Sequence, residues 1–200
     1  ALAMAENAVQ NGADLQLETR VTGLTPTEGG WKIETTKGDF EARFVVNAAG
    51  VDAGKVHALA APENFVTKPC RGEYYLLDKS AGNTVGRVIF QCPTAAGKGV
   101  LVAPTVHGNL IVGPNAQDVA DSADTATTAM GLAQVAQSAR KSVPGVDLSA
   151  CIRTFAGIRA NTDRPDFVIQ WAAPGFLDLA GMKSPGLSAA AAVGEEAAAL

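Results

Sequence analysis

Residues 21–47 read VTGLTPTEGGWKIETTKGDFEARFVVN, where apolar and polar residues alternate and Gly-containing turns at Gly29–Gly30 and Lys37–Gly38 cut the alternation into short runs. A period of two sends successive side chains to opposite faces, so this stretch folds as a meander of strands and not as a helix. The expected strands are Val21–Thr27, Trp31–Thr36 and Asp39–Arg43, after a short one at Leu15–Leu17, and the last runs on into Phe44–Val46. The stretch closes as FVVNAAG, an apolar strand expected to be buried, ending in small residues that let another group approach the backbone.

The rest of the chain alternates helical and strand-like segments. Leu2–Gln10 reads as a helix stopped by the Asn11–Gly12 pair, and a short helix from Asp52 is ended by Pro62. RGEYYLLD, GRVIF, KGVLVAP and GNLIVGP read as strands. The Asp/Thr-rich stretch Asp121–Thr128 leads into one long amphipathic helix, Ala126 to Lys141, ended by Pro144–Gly145. SACIRTFAGIRA, DFVIQWA and GFLDLAG are strand-like again. The order predicts an α/β unit made from the two ends, residues 1–62 and 171–200, and an α+β unit with an antiparallel sheet and a long helix from residues 63–170.

Composition excludes several classes of function. With 47% hydrophobic and 18% charged residues the chain is globular, and a net charge of −4 with scattered Lys and Arg excludes a nucleic-acid footprint. Cys70, Cys92 and Cys151 lie far apart with no CxxC spacing, which argues for no metal site and no disulfide framework, and for a reducing, cytoplasmic setting. No uncharged apolar run reaches the ~18 residues that span a bilayer, so the chain is expected to be soluble. The phosphate-cradling GxGxxG is not in the sequence.

The last helix poses a question of its own. In MKSPGLSAAAAVGEEAAAL a Ser N-cap followed by Pro predicts a helix opening at Ser184 or Pro185. Lys183 stands just before it, although a helix N-terminus already carries partial positive charge. Something anionic belongs there, unless Lys183 is simply solvated.

The pieces VTGLTPTEGGWKIETTKGDFEARFVVNAAGVDA, RGEYYLLDK, VLVAPTVHGNLIVGPNAQD, FAGIRANTDRPDF and FLDLAGMKSPGLSAAAAVGE occur in the order found in flavoproteins of the D-amino-acid-oxidase superfamily. The chain resembles the central and C-terminal part of such a protein, closest to the glycerol-3-phosphate dehydrogenase and L-2-hydroxyglutarate oxidase branch. The resemblance implies part of a Rossmann-like FAD-binding domain and a substrate-binding domain. It implies hydride transfer from a small anionic alcohol to FAD, with glycerol 3-phosphate the first candidate, L-2-hydroxyglutarate the second and an amine the third. RANTDRPDF departs from the commoner Arg-Pro pattern, and the missing fingerprint leaves the adenosine end of FAD without its usual cradle. An inactive binding fragment of such an enzyme, lacking half its FAD site, is therefore the competing reading of another class. The electron acceptor is unassigned, and a peripheral membrane or electron-transfer partner is compatible with the resemblance.

By the same resemblance, Ala48, Ala49 and Gly50 meet the FAD pyrophosphate and ribose, the backbone of Val21 meets the adenine, and N–H groups of Gly186, Leu187 and Ser188 face the pyrimidine edge of the flavin. Val21 is otherwise plain core. Lys183 faces the substrate. Arg159 is the candidate clamp for a phosphate or carboxylate, because guanidinium offers two parallel bonds. Its alternative is a surface ion pair among Arg153, Asp163, Arg164 and Asp166. Arg71, with Tyr75 beside it, is a second substrate candidate, or a structural residue at the domain junction. Loss of the hydroxyl proton calls for a base, and of the two histidines His107, in a turn, is the candidate, while His57 is expected on a helix surface.

Overall fold

A computed structural model describes residues 1–92 and 99–200. In chain order they form helix α1 (Leu2–Gln10), strands β1 (Val21–Thr27), β2 (Gly30–Thr35), β3 (Gly38–Ala42) and β4 (Val45–Asn47), and helix α2 (Ala53–His57). Strands β5 (Thr67–Leu77), β6 (Ile89–Phe90), β7 (Leu101–Pro104), β8 (Leu110–Gly113) and β9 (Gln117–Asp118) follow, then helix α3 (Ala129–Ser142). Strands β10 (Cys151–Thr162), β11 (Val168–Ala173) and β12 (Phe176–Ala180) and helix α4 (Gly186–Ala199) complete the chain. The fold is mixed α/β, and the chain divides into two compact units, residues 1–67 with 160–200 and residues 68–159. Residues 160–170, expected in the middle unit, fall with the ends because β11 pairs with β12.

In the first unit, β1, β2 and β3 form the antiparallel meander that the alternation dictates, in that order. Trp31 anchors it, 3% exposed, against Leu24 and Phe176, with its indole N–H donating to the Pro174 carbonyl at 3.0 Å. Three expectations fail here. No strand forms at Leu15–Leu17, where both leucines are exposed and the chain is irregular up to a turn at Leu17–Glu18, because two alternating leucines find no sheet to pair with. β3 does not run on into Phe44–Val46 either: the chain breaks at Arg43 and Phe44, and β4 joins a different sheet of order β11-β12-β4. Nor is FVVNAAG buried throughout. Phe44 is 62% and Val46 51% exposed, since β4 pairs only with β12, and Asn47 alone of this strand is buried.

The second unit is an antiparallel sheet of order β10-β5-β8-β7-β6, with β9 also pairing with β5. The Lys98 end of the expected KGVLVAP strand lies outside the described residues. Leu77, Val102, Leu110 and Val112 pack with Val135 and Ala139 of α3 into one apolar core. The helix starts three residues later than its sequence suggests. Asp121 and Asp124 accept the N–H groups of Ala123 and Ala126 in Asx turns, and Thr128 becomes the N-cap, its hydroxyl accepting from Gly131 N at 3.0 Å.

That cap is held from below by an acid. Glu73 is fully buried, and its carboxylate accepts from Thr128 N at 2.7 Å and from the Thr128 hydroxyl at 3.0 Å. A carboxylate under a helix N-terminus completes orphan donors and matches the helix dipole. Gly131 is glycine because any Cβ there would collide with the Glu73 carboxylate.

Candidate functional site

The first unit offers a small-residue turn. β4 and β12 run parallel with Asn47 opposite Asp178, so the segments that follow both strands leave from the same end of the sheet. Carboxyl ends of parallel strands are where such sheets receive ligands. After β4 come exposed Ala48 and Ala49, then Gly50 in the left-handed region at φ +59°, where an added Cβ would meet nothing within 4 Å. The turn is shaped by Asn47, whose Oδ1 accepts from Ala49 N at 3.3 Å and whose Nδ2 donates to the Ala53 carbonyl at 2.9 Å and to Asp178 Oδ1 at 2.8 Å.

His57 is not on the surface. It is 1% exposed, with Nδ1 at 2.7 Å from Asp178 Oδ2, Nε2 at 2.9 Å from the Pro62 carbonyl, and its ring tilted against Phe65. A helix of five residues shows too little periodicity to place one side chain, and the partner lies 121 positions away. Val21 is half-buried and packs on the cluster of Leu24, Trp31 and Phe176, as a core residue does.

After β12 the chain turns through Gly181 to Pro185 before α4. Ser184 caps nothing: the helix opens at Gly186 with Pro185 at the N-cap position, φ −99° and ψ 46°, and no side chain caps it. The Gly186 N–H is already engaged by the Lys183 carbonyl at 2.6 Å. Leu187 and Ser188 follow in the first turn, exposed, where a helix has orphan N–H groups. Lys183 is half-buried, and its ammonium has no carboxylate partner among the described residues.

In the second unit the parity of β5 separates residues that the sequence suggested together. Arg71, Glu73, Tyr75 and Leu77 lie on the face covered by α3. Arg71 is 3% exposed and both its terminal nitrogens are engaged: Nη1 donates to Asp124 Oδ2 at 2.6 Å and Nη2 to Gln117 Oε1 at 2.9 Å, while Nε lies 3.5 Å from Glu73 Oε1 in an ion pair without hydrogen-bond geometry. Tyr75 donates its hydroxyl to the Leu132 carbonyl of α3 at 3.2 Å. Both are committed to partners within this unit.

Arg159 lies over the opposite face. It crosses Gly72, where a Cβ would come within 2.7 Å of its Nη2 and 2.8 Å of Pro114 Cβ, so glycine is required under the guanidinium. Nη2 donates to the Asn115 carbonyl at 3.1 Å and Nη1 to Cys70 Sγ at 3.5 Å. Neither acceptor is a carboxylate. The ion pair weighed from sequence does not form: Asp163 accepts from Val66 N and Asp166 from Phe167 N, and no carboxylate among the described residues pairs with Arg159. Tyr74, which the sequence reading passed over, stacks on Phe155 on this face at 5.0 Å. Burial pushes its phenol up from the usual tyrosine value, opposed by the Arg159 charge, so Tyr74 is a neutral O–H donor near pH 7.

His107 is not brought to this face. It is exposed in the turn between β7 and β8, which Asn109 pins to the C-terminal end of β5 by donating to the Leu77 carbonyl at 3.0 Å. Arg159 lies over Gly72, five strand positions away, roughly 17 Å at strand rise.

Comparison with known proteins sets these features in a family. The family described as FAD dependent oxidoreductase matches residues 1–200. The chain belongs to this family. It is 46% identical over 194 residues to the glycerol 3-phosphate dehydrogenase of Caloramator mitchellensis, covering 96% of this chain and 40% of that one. It is 30% identical over 118 residues to the L-2-hydroxyglutarate dehydrogenase of Escherichia coli K12, covering 57% of this chain and 28% of that protein. Among solved structures, the dithionite-reduced L-alpha-glycerophosphate oxidase of Mycoplasma pneumoniae with FAD bound superposes with a TM-score of 0.87 at 31% identity, over 98% of this chain and 53% of that one. The chain thus spans about half or less of the length of these relatives.

The residues present fit FAD. A dinucleotide needs backbone it can approach closely, and the Ala48–Gly50 turn leaves the space a side chain would fill. A reduced flavin needs preorganised donors, and the first turn of α4 offers N–H groups from the same sheet end. No helix among the described residues is long and apolar enough to cross a membrane.

Proposed function

We propose that the protein oxidises a small anionic secondary alcohol, glycerol 3-phosphate, to the ketone dihydroxyacetone phosphate. The observation that carries this reading is Arg159: a half-buried guanidinium held over Gly72 by the Cys70 sulfur and the Asn115 carbonyl, with no carboxylate to balance its charge among the described residues. Such a cation calls for an anion. The 46% identity to a glycerol 3-phosphate dehydrogenase supports the choice of substrate, and FAD supplies the hydride acceptor when bound.

In this reading Arg159 grips the phosphate with parallel charge-assisted bonds, and the Tyr74 hydroxyl donates beside it. Lys183 is a second substrate cation. The Ala48–Gly50 turn takes the pyrophosphate and ribose, the Val21 backbone meets the adenine, and Leu187 and Ser188 N–H groups face the pyrimidine edge. Arg71 and Tyr75 support the cap of α3 and do not touch substrate. His107 is not the proton acceptor, because a base must come within about 3 Å of the proton it removes. The pH–rate profile of His107→Gln is therefore expected to overlay that of the wild type; loss of a limb of the profile would return the role to His107.

The deciding experiment is anaerobic mixing of the intact, flavin-loaded protein with each alcohol while the visible flavin band is followed. Bleaching by glycerol 3-phosphate and not by L-2-hydroxyglutarate is expected. The reverse result favours the reading suggested by the Escherichia coli relative, and bleaching by neither removes the substrate class.

A further inference from the structure

We propose that His57 is a positioning residue for the cofactor, holding the Ala48–Gly50 turn in its receptive shape through Asp178 and Asn47. The inference rests on the reading that this turn meets FAD. It begins from three buried polar side chains in one file: Asn47 at 2%, Asp178 at 0% and His57 at 1% exposure. Asp178 is the lone acid in the strand FLDLA, whose five residues are all buried. Its Oδ1 accepts from Asn47, and its Oδ2 faces His57 Nδ1 at 2.7 Å, with Gln170 Nε2 at 3.4 Å.

The hydrogen-bond pattern fixes the proton count. Pro62 O can only accept, so His57 Nε2 carries a hydrogen. The short contact between Nδ1 and the carboxylate then requires one further proton between them, on either atom. The pair is net neutral in both cases. Among the described residues His57 is the only group in ion-pair contact with Asp178, so no other side chain can balance its carboxylate.

The consequence reaches the turn by short steps. Asn47 uses its whole amide to shape residues 48–53, accepting from Ala49 and donating to Ala53 and Asp178. Remove the His57 proton and the buried carboxylate stands uncompensated, a state relieved only by protonation or by entry of water. Either change disturbs the acceptor that orients Asn47, and the turn loosens where the cofactor's backbone contacts are made. Apolar residues would fill this space equally well if packing were the only demand.

The test is a titration of the flavin-stripped intact protein with FAD, followed by flavin fluorescence and by the visible spectrum of the bound flavin, beside thermal unfolding of the apo-protein. His57→Gln is expected to weaken FAD about tenfold or more, and the double variant His57→Gln with Asp178→Asn to recover most of that loss, because an amide at 178 needs no balancing charge and still accepts from Asn47. Wild-type affinity in His57→Gln overturns the proposal, and so do losses that simply multiply in the double variant, which assign His57 to packing. Should His57→Gln not fold, Asp178→Leu, which removes the acid and the acceptor of Asn47 together, is expected to lose FAD to a similar extent; unchanged affinity there overturns the proposal. Ala48→Leu, on the exposed turn itself, separates the two levels. If it leaves FAD affinity intact, the turn is no cofactor contact and both readings fall; if it weakens FAD while His57→Gln does not, only the role of His57 falls.

Discussion

Glu73→Ala is expected to destabilise the second unit by about 3–5 kcal/mol, read as a shift in chemical unfolding. The carboxylate is fully buried and serves two partners at once, the N-cap residue of α3 and the Arg71 guanidinium. Truncation leaves the Thr128 N–H without an acceptor and opens a cavity beneath Gly131, against which the Glu73 carboxylate packs. Arg71 keeps Asp124 and Gln117, so its charge is not wholly orphaned, which places the loss inside that range and not beyond it. Glu73→Gln is expected to lose less, about 1–3 kcal/mol, since an amide oxygen still accepts from Thr128 N while its NH₂ opposes Arg71. A Glu73→Ala variant within about 1 kcal/mol of wild type would show that α3 does not depend on this acid.

Arg71 also shows why part of the site was hidden in the sequence. The meander from Val21 to Ala42 was legible nearly to the residue, because alternation and Gly turns are local signals and the partners of each strand are its sequence neighbours. The same alternation was available in RGEYYLL. Arg71, Glu73, Tyr75 and Leu77 share one face, and Gly72, Tyr74 and Leu76 the other, with Arg159. Read by parity, the motif separates a buried structural arginine from the open face where Tyr74 waits.

The network of His57 was harder to see, because its members come from β4, α2 and β12 and meet only through a parallel pairing of distant segments. One local signal did exist: an aspartate within FLDLA, an otherwise apolar strand, must find a partner when buried. The late start of α3 has a local cause too. Asp121, Asp124 and Thr128 use their side chains on nearby N–H groups, and that competition holds back the start of the helix beyond where hydrophobic spacing alone puts it.

The second large effect is expected at Arg159, where replacement by lysine keeps the charge and removes the fork. In the intact enzyme Arg159→Lys is expected to raise KM for glycerol 3-phosphate and lower kcat/KM roughly 30- to 160-fold, equivalent to about 2–3 kcal/mol of lost transition-state binding. The geometry explains why lysine is a poor substitute here. Two guanidinium nitrogens are held in place by Cys70 Sγ and Asn115 O, and the planar group rests on Gly72, so its orientation is set before any ligand arrives. An ammonium on a flexible stem offers neither the plane nor the two anchors, and its ordering on binding opposes affinity. Arg71→Lys provides the contrast: its partners are Asp124, Gln117 and Glu73, so the change is expected to appear in unfolding and to leave KM near the wild-type value. A wild-type KM in Arg159→Lys, with Arg71→Lys raising it instead, would transfer the anion to the other face of β5 and remove the observation on which the proposed activity stands.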